Sequence, residues 1–154
     1  MKRIVFSLLL LGAMAFVAHA EELDYAEILT QRAESGDAEA QFYLGVMYES
    51  GRVVPQDYRQ AVDWYRKAAE QGNADAQSNL VFMYYHGQGV PQDYVLAYAL
   101  LNLAAADGHK DAAQALDLIA KEMTPAQIEE GQAIANQWRP GQPLPTSSKT
   151  GGSR

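Results

Sequence analysis

Side chains capable of acid–base or covalent chemistry are few in this sequence, and their spacing suits neither task. Beyond the first twenty residues there are two histidines, His86 and His109. An imidazole can move protons near neutral pH or hold a metal. Each of these falls near a helix end with no His-x-x-x-His companion, so both read as solvated. The paired carboxylates Glu21-Glu22 and Glu129-Glu130 are adjacent in sequence, and a helix turns adjacent side chains apart. No Gly-x-Ser-x-Gly, Ser-x-x-Lys or phosphate-cradling glycine loop occurs. Without a single cysteine there can be no disulfide framework, cysteine–zinc site or thiol nucleophile. The expectation is no catalytic residue, no metal and no cofactor. What remains is recognition by aromatic and apolar side chains set among acids.

The elements that would position them must be those of one domain with appendages, given 154 residues. Hydrophobic residues make up 48% and aromatics 10%, enough for a packed core. Twelve basic against nineteen acidic residues give a net charge of −7, which disfavours binding nucleic acid. The charges are also segregated. Residues 1–20 hold Lys2 and Arg3 and no acid, whereas 21–139 hold 8 basic and 19 acidic residues.

Met1-Lys2-Arg3, the apolar run Ile4–Val17 and Ala18-His19-Ala20 read in order as a cleavable signal peptide over 1–20. Fourteen apolar residues are short of the roughly 20 that span a bilayer, and acids follow at once (Glu21, Glu22, Asp24). Cleavage after Ala20 predicts a periplasmic or secreted protein with no membrane anchor.

Residues 21–139 form the body, and it repeats. Gly36, Gly72 and Gly108 are 36 residues apart, Val54-Pro55-Gln56-Asp57-Tyr58 recurs as Val90–Tyr94, and 17 of the 36 positions in 33–68 are identical in 69–104. A fixed period of this length marks a solenoid, whose units bury their apolar faces only against one another. The pattern predicts a half-unit over 22–36, unit one over 37–72, unit two over 73–108, and a third helix A with a terminal cap helix over 109–139. In each unit, helix A ends at a glycine (Gly51, Gly87), proline blocks its continuation, and Asp57 with Gln60 has the capping-box pattern that opens helix B. Thr124-Pro125-Ala126-Gln127 opens the last helix in the same way. Seven helices are expected. The tail, 140–154, is rich in Pro, Gly, Ser and Thr and is expected to be disordered.

Ala-Gln-x-x-Leu-Gly-x-Met-Tyr over 40–48, Trp64-Tyr65-Arg66-Lys67-Ala68-Ala69-Glu70-Gln71-Gly72 and Gly87-Gln88-Gly89-Val90 resemble Sel-one-like repeats, a branch of the tetratricopeptide repeats. The resemblance covers about 22–138. It departs at Val53, Val81 and Leu100-Leu101, where Gly, Gly and Trp-Tyr would match the motif. It implies an all-α, right-handed superhelical solenoid of antiparallel helix pairs and a protein-binding adaptor of the exported bacterial type. A cysteine-rich exported branch of the family has been linked to β-lactam binding and hydrolysis, which supplies the alternative function. That branch is stapled by disulfides, and this chain has no cysteine.

The repeated alanines, Leu44, Tyr48, Leu80, Tyr84 and the helix B face Tyr58, Ala61, Val62, Tyr65, Ala68 and Ala69 read as core, as do Met123 and both tryptophans. In tetratricopeptide-like solenoids the A helices line the concave side. That leaves Glu39, Phe42, Tyr43, Val46 and Glu49 of unit one to form a groove. Asp75, Ser78, Asn79, Phe82, Tyr85 and His86 continue it in unit two, followed by Asp111, Gln114 and Leu118. Aromatics among polar residues mark binding surfaces, and the acidic rim predicts a basic or amphipathic peptide or protein partner. A second stripe runs along the other helix B. Val95, Leu96, Ala99, Leu103 and Ala106 stand where the first unit has Arg59, Gln60, Asp63, Lys67 and Glu70. Either the terminal helix covers it, through Ile128, Ile134 or Trp138, or it is a two-fold self-association patch making a homodimer.

Overall fold

Identical residues 36 positions apart make identical hydrogen bonds, and these bonds build the fold. The computed structural model describes residues 24–106, 108 and 110–145. Among them are seven α-helices: α1 (24–34), α2 (Ala38–Ser50), α3 (Tyr58–Glu70), α4 (Ala74–His86), α5 (Tyr94–Ala106), α6 (Lys110–Ile119) and α7 (Pro125–Gln137). Asp37 and Asn73 cap α2 and α4 by accepting from the N–H groups of Ala40 and Ala76. Gly51 and Gly87 end these helices in the left-handed conformation. The recurring Gln of the loop then braces the helix just finished: Gln56 Nε2 donates to the Glu49 carbonyl and Gln92 Nε2 to that of Tyr85, each at 2.7 Å. The Gln of the Ala-Gln pair is buried and reaches back to the preceding helix, Gln41 to the Ala33 carbonyl and Gln77 to that of Ala69. These glutamines add hydrogen bonds to carbonyls in the last turn of each helix, and those of Ala33 and Ala69 also accept from the N–H groups of Gly36 and Gly72.

One cap and one helix end differ in detail from the sequence pattern. Asp57 accepts from the N–H groups of Arg59 and Gln60, which is the forward half of the expected box. Thr124 and Gln127 make both halves. The third helix A tightens at its end into a 3₁₀ turn, Ala120–Glu122.

Packing runs in sequence, α2 on α3, α3 on α4, α4 on α5 and α5 on α6. The result is an all-α solenoid of helix pairs. α1 covers the front, where Ala26, Leu29 and Ala33 bury against Ala40, Leu44 and Met47. The central core holds Ala61, Val62, Tyr65, Leu80, Met83 and Tyr84. Tyr48 and Tyr58 are half-buried. Trp64 is half-buried too, with the Lys67 ammonium 3.6 Å above its ring.

The chain departs from the repeat pattern at its end. α7 packs on α5. Gly131 lies at the crossing, where a Cβ would come within 2.8 Å of the Tyr98 ring and 3.2 Å of the Val95 carbonyl oxygen. The absence of a side chain there allows the two helices to touch. Val95, Leu96 and Ala99 are consequently buried, Leu103 is half-buried, and Ala106 alone of the stripe is exposed. Of the two readings of the stripe, cover by the terminal helix is the one these contacts support. An apolar helix face needs a partner, and α7 is close enough to be one.

Of the tail expected to be disordered, residues 140–145 lie against the solenoid, with Leu144 only 7% exposed, and 146–154 lie outside the described residues. Composition suggested no apolar area to bury, yet one leucine with two backbone anchors suffices. The proposed leader, 1–20, lies outside the described residues.

Candidate functional site

The A-helix face is closed in one unit and open in the next, and a pair of substitutions explains it. In unit one the Tyr65 ring lies flat against Gly45, where a Cβ would sit 2.5 Å from Tyr65 Cε1. Phe42 then packs on Tyr65 (ring centroids 5.9 Å) and on Tyr43 (5.2 Å). The Tyr65 hydroxyl donates to the Glu49 carboxylate. Burial and then Glu49 raise the pKa of that hydroxyl, while a hydrogen bond from Asn79 opposes them. Phe42 and Val46 are therefore half-buried against the central core, and Glu49 and Asn79 are engaged with Tyr65. This corrects the expectation that Phe42 and Val46 are free groove residues. Glu39 and Asp75 stay exposed, as does Tyr43 (44%).

In unit two the equivalents of Gly45 and Tyr65 are Val81 and Leu101. A leucine cannot fill the space of a tyrosine ring, and the face opens there. One cleft of about 350 Å³ is lined by Phe82, Tyr85 and His86 of α4, Leu101 of α5, and Leu118 and Ile119 of α6, with Ser78, Val81 and Ala115. A second, of about 380 Å³, shares Ser78, Val81, Leu101 and Ala115 and extends to Asp111. Together they gather Ser78, Phe82, Tyr85, His86, Asp111 and Leu118 from the residues singled out by sequence. Gln114 is exposed but lines neither cleft.

Phe82 (48% exposed) and Leu118 (64%) present apolar surface across this opening. His86 packs at a tilt on Phe82 (4.3 Å) and meets Tyr85 edge-on (4.9 Å), while Tyr85 also contacts Tyr94 (5.4 Å). Such clustering fixes the aromatic rim before any ligand arrives, which lowers the entropy cost of binding. Among the described residues no group of three or more His, Asp or Glu is placed to hold a metal, and no helix is long and apolar enough to cross a membrane. His109 lies outside the described residues. The sequence reading missed Val81 and Leu101 as cleft residues. The signal was present in the loss of Gly and Tyr from the repeat motif.

The Sel1 repeat family model matches residues 38–73 and 74–109, the two helix pairs just described. The chain carries two Sel1 repeats. Its repeats are 41% identical over 69 residues to the secretory immunoglobulin A-binding protein EsiB of Escherichia coli O6:H1, covering 44% of this chain and 14% of that protein. Its fold is similar to the crystal structure of c5321, a protective antigen of uropathogenic E. coli with an SLR fold. The TM-score is 0.68 at 34% identity, over 73% of this chain and 24% of that one. A Sel1 repeat protein from Oxalobacter formigenes superposes with a TM-score of 0.57 at 35% identity, over 60% of this chain and 38% of the other. The chain thus spans a minor part of the length of each. The family supports a role in protein–protein interaction.

Proposed function

We propose that the protein is an exported, non-catalytic adaptor that binds a polypeptide in the α4–α6 cleft. The observation that carries this reading is the exposure of Phe82 of α4 and Leu118 of α6, which line one opening. Large apolar side chains on either side of a concave surface are what an interface anchor requires. Asp111 at the cleft and the nearby exposed Asp75 favour a segment with basic residues beside its apolar anchor, and association that slows with salt. Export rests on the leader pattern of residues 1–20 and predicts that the mature chain begins at Glu21, which mass measurement of the exported protein would check. Immunoglobulin A, the ligand in the name of the E. coli relative, belongs in any binding panel alongside basic amphipathic peptides.

The direct experiment is fluorescence anisotropy of such a panel against the mature protein and a Phe82→Ser, Leu118→Ser double variant. Removing two anchors from the centre of an interface should weaken binding by about a hundredfold, at roughly 1–2 kcal/mol each. Unchanged binding by a folded variant would overturn the cleft assignment.

A further inference from the structure

Residues 139–145 leave α7 and run back across α3, where they are held as a bound peptide would be. Leu144 inserts among Tyr84, Leu96, Ala99, Leu103, Ile134 and Trp138 and leaves a void of only about 10 Å³ beside it. These residues are distinct from those of the Phe82 cleft. The backbone is bonded from both sides of the leucine. The Leu144 N–H donates to Glu70 Oε1 (2.8 Å), Arg66 Nη2 donates to the Leu144 carbonyl (3.3 Å), and the Gly141 N–H donates to the Glu70 carbonyl (2.6 Å). Trp138 Nε1 donates to the Gln142 carbonyl (3.1 Å). Pro143 and Pro145 flank the leucine; Pro145 biases Leu144 to extended geometry, and Pro143 has its own φ fixed. One side-chain pocket, with donors and acceptors reading the main chain around it, is the physical content of a linear-motif site.

We propose that this surface of α3, α4, α5 and α7 is a second peptide-binding site. It accepts an extended segment with a leucine between two prolines, and the chain's own residues 141–145 fill it in cis. The inference does not depend on the cleft reading. Tethering gives the cis segment a high effective concentration. Yet a short surface strap with one buried side chain sits at the low end of local stability and opens far more readily than the core. A partner carrying the same motif then binds with an affinity reduced by the fraction of sites that are open.

The test uses a labelled peptide of residues 139–145, Arg-Pro-Gly-Gln-Pro-Leu-Pro, titrated by anisotropy against the full chain and two strap variants. Leu144→Asp puts a charge in the pocket and expels the strap. Gly141→Pro removes the N–H that bonds Glu70 and a backbone φ of +91° that proline cannot adopt, while leaving every pocket side chain intact. Both variants should bind the peptide at least tenfold more tightly than the unaltered chain, and a peptide with aspartate for leucine should lose that gain. Variants that keep their helical circular dichroism but bind no better than the unaltered chain would overturn the proposal. So would equal binding of the aspartate peptide. If Leu144→Asp unfolds the protein, the Gly141→Pro result decides alone.

Discussion

Tyr65 rests on Gly45 in the first repeat, whereas the second has Leu101 and Val81 at the same two positions. The first repeat thereby fills its A-helix face with aromatic rings, and the second leaves a cleft. On the B helices the contrast is reversed. α3 turns Arg59, Gln60, Asp63 and Lys67 to solvent, while α5 buries Val95, Leu96 and Ala99 beneath α7. A third difference follows the same rule. Arg66 donates to the Tyr84 hydroxyl at 2.8 Å, but 36 residues later the pair is Asn102 and Ala120, and Asn102 Nδ2 is buried without a partner among the described residues. The lesson is that a shared motif sets the scaffold, and the non-identical positions decide which of its two faces is free.

The largest test of this contrast puts the charges of α3 on α5. Val95→Arg with Leu103→Lys should cost about 3–5 kcal/mol in urea unfolding, because burying unpaired charge under α7 is expensive. The mass in solution should stay the same. The reciprocal change on α3, Arg59→Val with Lys67→Leu, should cost no more than about 1 kcal/mol, since those side chains are exposed and only the Lys67–Trp64 contact is lost. A halved solution mass for the α5 variant would instead restore the self-association reading.

Next in size is Gly45→Val, which gives unit one the residue of unit two. Overpacking against Tyr65 should cost about 2–3 kcal/mol. Adding Tyr65→Leu should recover at least about 1 kcal/mol of it, measured as a coupling energy in a double-mutant cycle. Additive losses would mean that the two positions are not exchanged as a pair.

Transplanting in the other direction, Val81→Gly with Leu101→Tyr should close the cleft and weaken peptide binding about tenfold, or about 1.4 kcal/mol, with the helix content kept. Binding that survived a filled cleft would separate the peptide site from the Leu101 floor.

The smallest effect is a pH dependence centred on Tyr65 of unit one. The folded-state pKa of Tyr65 is raised by burial and then by Glu49. The stability it contributes is therefore complete below the unfolded value of about 10 and is lost as pH rises beyond it. Denaturation at pH 9, 10 and 11 should show a shallower decline for Tyr65→Phe than for the unaltered chain. Tyr84, also raised by burial, should leave a residual slope in the variant. Parallel declines would mean that Tyr65 does not ionise differently in the two states.

Much of the fold was legible because its causes are local. The 36-residue period, the aspartate and asparagine caps, the terminal glycines and the Thr124–Gln127 box all act within a few residues of themselves, and the helices begin and end where those signals stand. The cleft was only half legible. Phe82, Tyr85, His86 and Leu118 stood out as aromatic or apolar residues on a polar face. Phe42 stood out for the same reason but packs on Tyr65, because its environment depends on a glycine three residues away that admits a ring from another helix.

What the sequence alone determined is the repeat scaffold, its helix ends and its alanine-lined core, since periodicity and capping are nearest-neighbour physics. Only the tertiary structure decided that α7 lies on α5, that Gly131 lets it approach, and that Leu144 returns to Glu70 and Arg66 across more than seventy residues of chain. Those contacts depend on which surfaces meet in space, and no window of sequence contains both partners.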